Sequence, residues 1–331
     1  MINAIKYIIT SDTNPYKNLA LEEVLLHKVG NEECILYLWQ NERTVVIGRN
    51  QNPWKECRLS ELETAGGRLA RRLSGGGAVF HDLGNLNFTF LAAKDNYDVD
   101  KQLEVIMKAV NRLGILAVKS GRNDITVENR KFSGNAFYSN GKQCYHHGTI
   151  LVNVEMTKLS QYLNVSKDKL VSKGVDSVKS RVTNLREYAA DLTIDKMKER
   201  LISAFGEVYG LIPTPFKLPE DGLLRLQQLE EKYSSWDWNF GRKLEFSDSF
   251  GSRFFWGDIE IKLIVEGGSI KECMVYSDAL ETELFEQLSA YLTGCPFTAK
   301  AMIEELERVP INTEMAAIIM DIKALIMEYN G

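Results

Sequence analysis

The chain has 331 residues, 44% of them apolar and 26% charged, the balance of an ordinary globular protein long enough for two or three domains and a sizeable core. Forty Lys and Arg against 45 Asp and Glu leave a net charge of −5, which excludes a general attraction to nucleic acid or anionic lipid. The longest apolar runs, such as residues 34–39, are too short to span a bilayer, and the first six residues lack the charged, apolar, small order of a signal peptide. A cytoplasmic protein that binds neither nucleic acid nor membrane is expected. Cysteines at 34, 57, 144, 273 and 295 are odd in number with no CxxC pair, which argues against a disulfide framework or zinc ribbon, and four histidines argue against a multi-histidine metal site.

Asn14-Pro15 reads as an N-cap with proline at the first helical position, opening a helix that ends near Gly30. Segments 34–39 and 44–48 are β-rich and separated by residues 40–43, a hairpin-length loop. A helix over 54–65 and a strand over 68–73 follow. Residues 85–90 alternate polar and apolar, the period of a strand with one face buried, so a half-buried antiparallel sheet is the simplest host. Asn140-Gly141 between residues 136–139 and 142–145 predicts a tight hairpin. Helices near 97–112, 193–209 and 219–233 would cover the sheet. Three prolines at 213, 215 and 219 mark a connector, and the pattern restarts near 245 with strands at 253–265 and 270–276 and helices at 279–293, 298–307 and 312–328. The expected fold class is α+β, a large mixed or antiparallel-sheet domain over 1–245 and a small α+β domain over 246–331.

The densest chemical signal is Arg71-Arg72-Leu73-Ser74-Gly75-Gly76-Gly77-Ala78-Val79-Phe80-His81-Asp82. Three glycines allow close approach to a ligand and expose N–H groups to phosphate or carboxylate oxygens. Adjacent arginines on a strand point to opposite faces, so one can aim at that ligand; the competing reading is a flexible turn with solvated arginines. Neither the GxxxxGK[ST] nor the GxGxxG spacing is present. The second dense stretch comprises Gly121 to Val127, Arg130-Lys131-Phe132-Ser133-Gly134-Asn135-Ala136 and His146-His147-Gly148-Thr149. A meander would make these neighbouring strands and gather an acid, a lysine and an imidazole. Lys131 beside Ser-Gly suits a phosphate or acyl-phosphate oxygen, and His147, next to Gly148, is favoured over His146 for the ligand side.

These blocks, with residues 44–49, 51–54, 173–185 and 235–240, resemble the lipoate–protein ligases over essentially the whole chain. The resemblance implies a catalytic domain of biotin- and lipoate-ligase type with a C-terminal accessory domain. It implies an enzyme that joins lipoate to ATP as lipoyl-AMP, releases pyrophosphate, and passes the lipoyl group to a lysine of an apo lipoyl domain, with magnesium screening the phosphates. By matching position, Lys131 contacts carboxylate and α-phosphate. Arg72, Ser74, Gly75, Gly76, Gly77, Ala78, Val79, Phe80, Asn123 and Asp124 hold ATP or the adenylate, and Asp124 is the candidate magnesium ligand. Arg72, Gly76, His81, Lys131, His147, Gly148 and Thr149 take the lipoate, and Lys173, Gly174, Val175, Ser180 and Arg181 belong to a loop closing over the adenylate. The implied acceptors are E2 subunits of 2-oxoacid dehydrogenases and the glycine cleavage H protein, served by a monomer.

Leu86, Phe88 and Phe90 are candidates for an apolar wall or for plain core. An ATP-independent transferase using Cys144 as a thioester nucleophile with His146-His147 is the rival activity, and a non-catalytic lipoate carrier is a third reading, which the intact Lys131 argues against.

Overall fold

The computed structural model describes residues 1–121, 123–164, 182–240 and 247–330. In chain order its elements are β1 (Ala4–Ile9), α1 (Pro15–Lys28), β2 (Glu33–Trp39), β3 (Thr44–Ile47), α2 (Pro53–Glu56), α3 (Leu59–Thr64), β4 (Arg68–Arg71), β5 (Val79–His81), β6 (Asn85–Ala93), α4 (Val99–Asn111), β7 (Val118–Ser120), β8 (Asp124–Val127), β9 (Arg130–Ser139), β10 (Gln143–Leu151) and α5 (Met156–Tyr162). There follow α6 (Ile194–Tyr209), β11 (Thr214–Pro215), α7 (Glu220–Ser234), α8 (Trp236–Phe240), β12 (Asp248–Phe254), β13 (Gly257–Glu266), β14 (Ser269–Ser277), α9 (Thr282–Leu292), α10 (Ala299–Leu306) and α11 (Thr313–Asn330). The chain divides into two compact units. One holds residues 1–46, 56–71 and 79–239; the other holds 47–55, 72–78 and 240–331.

The first unit is built on an eight-stranded sheet of order β11-β1-β2-β6-β10-β9-β8-β7. It is mixed: β1 runs parallel to β2 and β11, while β2, β6, β10, β9 and β8 are antiparallel neighbours. Leu86, Phe88, Phe90 and Ala92 of β6 join Leu36, Leu38 and Phe132 in a core closed by Leu103, Ile106 and Val110 of α4 and Met197, Leu201 and Phe205 of α6. The other face carries Asn85, Asn87 and Thr89, and α1 packs on β6 and β10 there. All nine residues of β6 are buried, so the expectation of a half-buried sheet is corrected. The alternation separates an apolar layer from a polar one, with both covered.

Further expectations give way where tertiary pairing decides. Residues 34–39 and 44–48 form no hairpin. β2 lies in the large sheet, whereas β3 pairs with β5 in a separate sheet of order β4-β3-β5. The loop between them is held by Asn18 Nδ2, which donates to Gln40 O and Asn41 Oδ1. The helix over 54–65 is broken at Cys57, which bridges to Leu163, so α2 and α3 are short. The strand over 253–265 is two strands turning at residues 255–256. The Asn140-Gly141 hairpin forms, with Gly141 at φ 88° and Asn140 Oδ1 accepting from the Lys142 and Gln143 N–H groups.

In the second unit an antiparallel sheet β12-β13-β14 packs Ile259, Ile261 and Leu263 against Leu284 and Leu288 of α9, Met302 of α10 and Ile322 of α11. The boundary expected near 245 lies outside the described residues. Among the described residues no helix is long and apolar enough to cross a membrane.

Candidate active site

The meander β8-β9-β10 brings Lys131 and Asp124 together, with Lys131 Nζ 2.6 Å from Asp124 Oδ1 and both side chains about a third exposed, at 36% and 35%. A β-bulge between Ile125 and Thr126 shifts the register so that Thr126 faces Lys131 while Asp124 faces Gly134. The Lys131 ammonium lies across Gly134, where a Cβ would stand 2.8 Å from Nζ and 3.9 Å from Thr149 Oγ1. Lys131, Gly134 and Thr149 therefore share the face of the sheet opposite the apolar core. Asn123 clamps this strand end: its Nδ2 donates to Asn135 O, and its own carbonyl accepts from Asn135 N and Nδ2. Lys131 is held from behind by Thr183 N, which donates to its carbonyl, and by a bridge to Val182. The expected closing residues Lys173, Gly174, Val175, Ser180 and Arg181 lie outside the described residues.

Both adjacent histidines are built into the fold. His147 Nδ1 donates to Glu22 Oε1 at 2.8 Å, and the same oxygen accepts from Thr89 Oγ1 at 2.7 Å, whose oxygen in turn accepts from Trp39 Nε1. His147 is thus on the Lys131 face, buried and tied to α1. His146 is on the opposite, apolar face between Phe88, Phe90 and Phe137. Burial there pulls its pKa down to about 3, aided by neighbouring His147, so it is neutral. We assign the tautomer in which Nε2 donates to Asn135 Oδ1, an oxygen fixed because Asn135 Nδ2 is committed to Asn123; the Gln102 carboxamide faces Nδ1 at 3.2 Å. His81 is buried, with Nδ1 3.2 Å from Asn41 Nδ2 and its ring edge-on to Trp39.

The arginines of the glycine loop are buried, Arg71 at 8% and Arg72 at 6% exposure, which overturns the reading of a flexible turn with solvated cations. They do point apart. Arg71, in the first unit, donates from Nε to Trp238 O and from Nη2 to Asn239 O, while Asn239 Oδ1 accepts its N–H and Trp238 Nε1 donates to its carbonyl. Arg72, in the second unit, folds into the loop it precedes: Nε contacts Ser74 Oγ, and Nη2 donates to Gly75 O at 2.7 Å and Gly77 O at 2.8 Å. The guanidinium thereby satisfies inward carbonyls and fixes the loop's shape. Gly76 has φ 89°, and its N–H donates to Ala279 O. Gly77, Ala78 and Val79 are half-buried, and Phe80 is buried against Tyr162.

Leu86, Phe88 and Phe90 belong to the core, so an apolar wall at the Lys131 face is not theirs to supply. Cys144 is 4% exposed and alternates with His146 and Gly148, whose missing Cβ would meet the Phe88 ring. The candidate thiol consequently points to the core face, away from Lys131, which removes the geometry the transferase reading needs. The residues that sequence reasoning missed are Glu22, Gln102 and Asn239, each a buried polar group whose partners are distant in sequence; Asn135 stood in the second dense stretch without a role. For Asn239 the signal was present in residues 235–240, a block recognised without a role.

A mixed sheet that sets a lysine beside an acid, and on the same chain a glycine loop held by a buried arginine, are features that suit a ligase of the acyl-activating kind. The chain matches the lipoyl protein ligase A/B catalytic domain over residues 14–206 and the bacterial lipoate protein ligase C-terminus over 243–326. It is 42% identical to lipoate-protein ligase A of Psychrobacter cryohalolentis, over 96% of this chain and 97% of that protein. The chain belongs to the lipoate–protein ligase family. Among solved structures it is similar to Plasmodium falciparum LipL1 in complex with lipoate, at 28% identity and TM-score 0.86 over 98% of this chain and 100% of that one. It also resembles a bipartite lipoate protein ligase from Thermoplasma acidophilum studied with its E2 lipoyl domain (28%, TM-score 0.66, 75% and 100%) and a lipoate-protein ligase A bound with ATP (26%, TM-score 0.64, 73% and 99%).

Proposed function

We propose that this chain is an ATP-dependent lipoate–protein ligase whose adenylation chemistry is centred on Lys131. The observation that carries the reading is the Lys131–Asp124 pair lying over Gly134, in a chain of this family. In the first half-reaction a lipoate carboxylate oxygen attacks the α-phosphorus of ATP, and the bond to the β-phosphate oxygen breaks, giving lipoyl-AMP and pyrophosphate. In the second, the amine of an acceptor lysine attacks the acyl carbon and AMP leaves.

Two anions must meet in the first step, so the main requirement is positive charge placed in advance where negative charge accumulates. Lys131 supplies a compact ammonium with three donors. Asp124 holds it by one oxygen, which leaves two N–H bonds for carboxylate and phosphate. Thr149 Oγ1 and the backbone of Gly148 border the same strand face. The proposed adenylate cradle is the backbone of Ser74, Gly75, Gly76, Gly77, Ala78, Val79 and Phe80, with Arg72 shaping it. His81 and His147 are assigned to the lipoate side as positioning residues, through Trp39 and Glu22 respectively.

Among the described residues no group of three or more His, Cys, Asp or Glu could hold a metal. A single carboxylate suits magnesium, which takes most of its ligands from phosphates and water; Asp124 fits as that one protein ligand. Magnesium would neutralise the phosphate charge. The acceptors we propose are apo lipoyl domains of E2 subunits and the H protein, and the location cytoplasmic.

Lipoate-dependent exchange of labelled pyrophosphate into ATP tests the reading. The parent should exchange, and Lys131→Ala should lose at least about 100-fold, the scale of removing one aligned charge donor, with its melting temperature kept. Exchange at near-parental rate in that variant would overturn it.

A further inference from the structure

A chain of buried side chains on the core face of β9 and β10 ends beside Asp124. Asn135 faces Gly148 across the two strands and points to the apolar side of the sheet, as His146 does. Asn135 is 4% exposed, and His146 and Gln102 of α4 are fully buried. The direction of each bond is fixed from one end. Asn135 Nδ2 donates to the Asn123 carbonyl at 3.0 Å, so Asn135 Oδ1 is the acceptor for His146 Nε2 at 2.8 Å. That leaves Nδ1 to accept from the Gln102 carboxamide, 3.2 Å away, with its NH2 turned inward. At the far end Asn135 N also donates to Asn123 O, at 2.8 Å, and Asn123 Nδ2 returns a bond to Asn135 O at 3.1 Å. Three bonds thus join Asn135 to Asn123, the half-exposed residue that precedes Asp124 at the start of β8.

Apart from its place opposite Gly134, Asp124 has little to hold it. Its neighbour on the other side, Ser120, belongs to β7, a three-residue edge strand with every residue exposed. The slot between Phe88, Phe90 and Phe137 is a costly place for an imidazole, and a phenylalanine ring would fill it. A fully bonded buried polar chain rigidifies what it joins, and this one ends next to the carboxylate that holds Lys131. Resting on the ligase reading above, we infer that His146 and Asn135 are positioning residues for adenylation, acting through Asn123 to fix Asp124 and with it the Lys131 ammonium. Neither touches a reactant. Both point to the side of the sheet opposite Lys131, so removing their bonds displaces the ammonium while leaving in place the groups that meet lipoate.

The test uses the full-length chain, the double variant His146→Phe with Asn135→Leu, and His146→Gln. Replacing both bonded partners by apolar groups of similar shape is close to neutral for stability, so the double variant should keep a melting temperature near the parent's. Lipoate-dependent pyrophosphate exchange then gives kcat and the KM for lipoate separately. The double variant should lose about tenfold in kcat, the cost of a displacement below 1 Å, with the KM for lipoate unchanged. His146→Gln keeps an N–H for Asn135 and should hold kcat within about threefold, a rescue that a core-filling role does not predict. If the double variant does not fold, Asn135→Ala, which leaves the histidine in place, is read by the same split. Parental kcat in a folded double or alanine variant overturns the inference and leaves the ligase reading intact. So does a kcat that falls only in step with melting temperature, with His146→Gln no better than the double variant. A folded parent that does not exchange overturns the ligase reading and the inference with it.

Discussion

The ammonium of Lys131 crosses Gly134 so closely that a single methyl group on Gly134 would stand 2.8 Å from Nζ. The nearest atoms are the far end of a flexible side chain, so the fold can accommodate the methyl but the ammonium cannot keep its place. Gly134→Ala is expected to hold its melting temperature within a few degrees while lowering kcat for lipoate adenylation by about ten- to a hundredfold, the cost of a displacement near 1 Å. Unchanged kcat would show that Lys131 is not used in its present position.

Asn239→Leu should act on stability. The substitution removes the acceptor for Arg71 N–H and the donors to Tyr233 O and Ser235 O. Orphaning buried backbone groups costs about 1–3 kcal/mol each at most, so a loss of about 2–4 kcal/mol is expected, read by chemical denaturation. A loss below about 0.5 kcal/mol would show that the Arg71 clamp is dispensable.

Cys144→Ser separates the two acyl-transfer chemistries. In a ligase the acyl group is carried as a mixed anhydride and touches no thiol, so ATP-dependent lipoylation of an acceptor domain should stay close to parental rate. Cys144 Sγ already contacts Ser139 Oγ at 3.3 Å, which gives the new hydroxyl a partner. Loss of nearly all turnover, with a thioester trapped on Cys144, would restore the transferase.

His146 makes stability depend on acidity. Its pKa is lowered from 6.5 to about 3 in the fold, so above pH 6.5 neither folded nor unfolded chain is protonated and the residue contributes no slope. As pH falls below 6.5 the unfolded chain takes up a proton that the folded one refuses, and stability drops by about 1.4 kcal/mol per unit until the folded pKa is reached. The melting temperature should fall between pH 6.5 and 5 more steeply in the parent than in His146→Gln. Parallel curves would mean that His146 is not buried neutral.

Much of this was legible in residue order. The Asn14-Pro15 cap and the Asn140-Gly141 turn depend on neighbours in sequence and correspond to α1 and the β9–β10 hairpin, and the Lys131 and glycine blocks, equally local, are the candidate-site segments. What was not legible depends on partners far away. Residues 40–43 have the length of a hairpin loop, but Asn18 holds them where the chain leaves one sheet for another. Arg71 reads like Arg72 until Asn239 is seen to take it, 168 residues on. The polar alternation of Asn85, Asn87 and Thr89 has the period of a solvent face, and only the third dimension shows that α1 covers it.

That covering helix has a consequence for the order of assembly. The inner side of α1 carries Asn18, Glu22 and Glu23, all buried. Glu22 finds His147 and Thr89 at separations of 125 and 67 residues, and Glu23 finds Tyr233 and Lys232 at 210 and 209. A carboxylate pressed onto an incomplete sheet would lose its water with nothing in return. Helix α1 is therefore expected to dock late, after β6 and β10 are zipped and α7 has arrived, although it precedes all three in the chain. Its amides should be the last of the first unit to gain protection in pulsed hydrogen exchange during refolding.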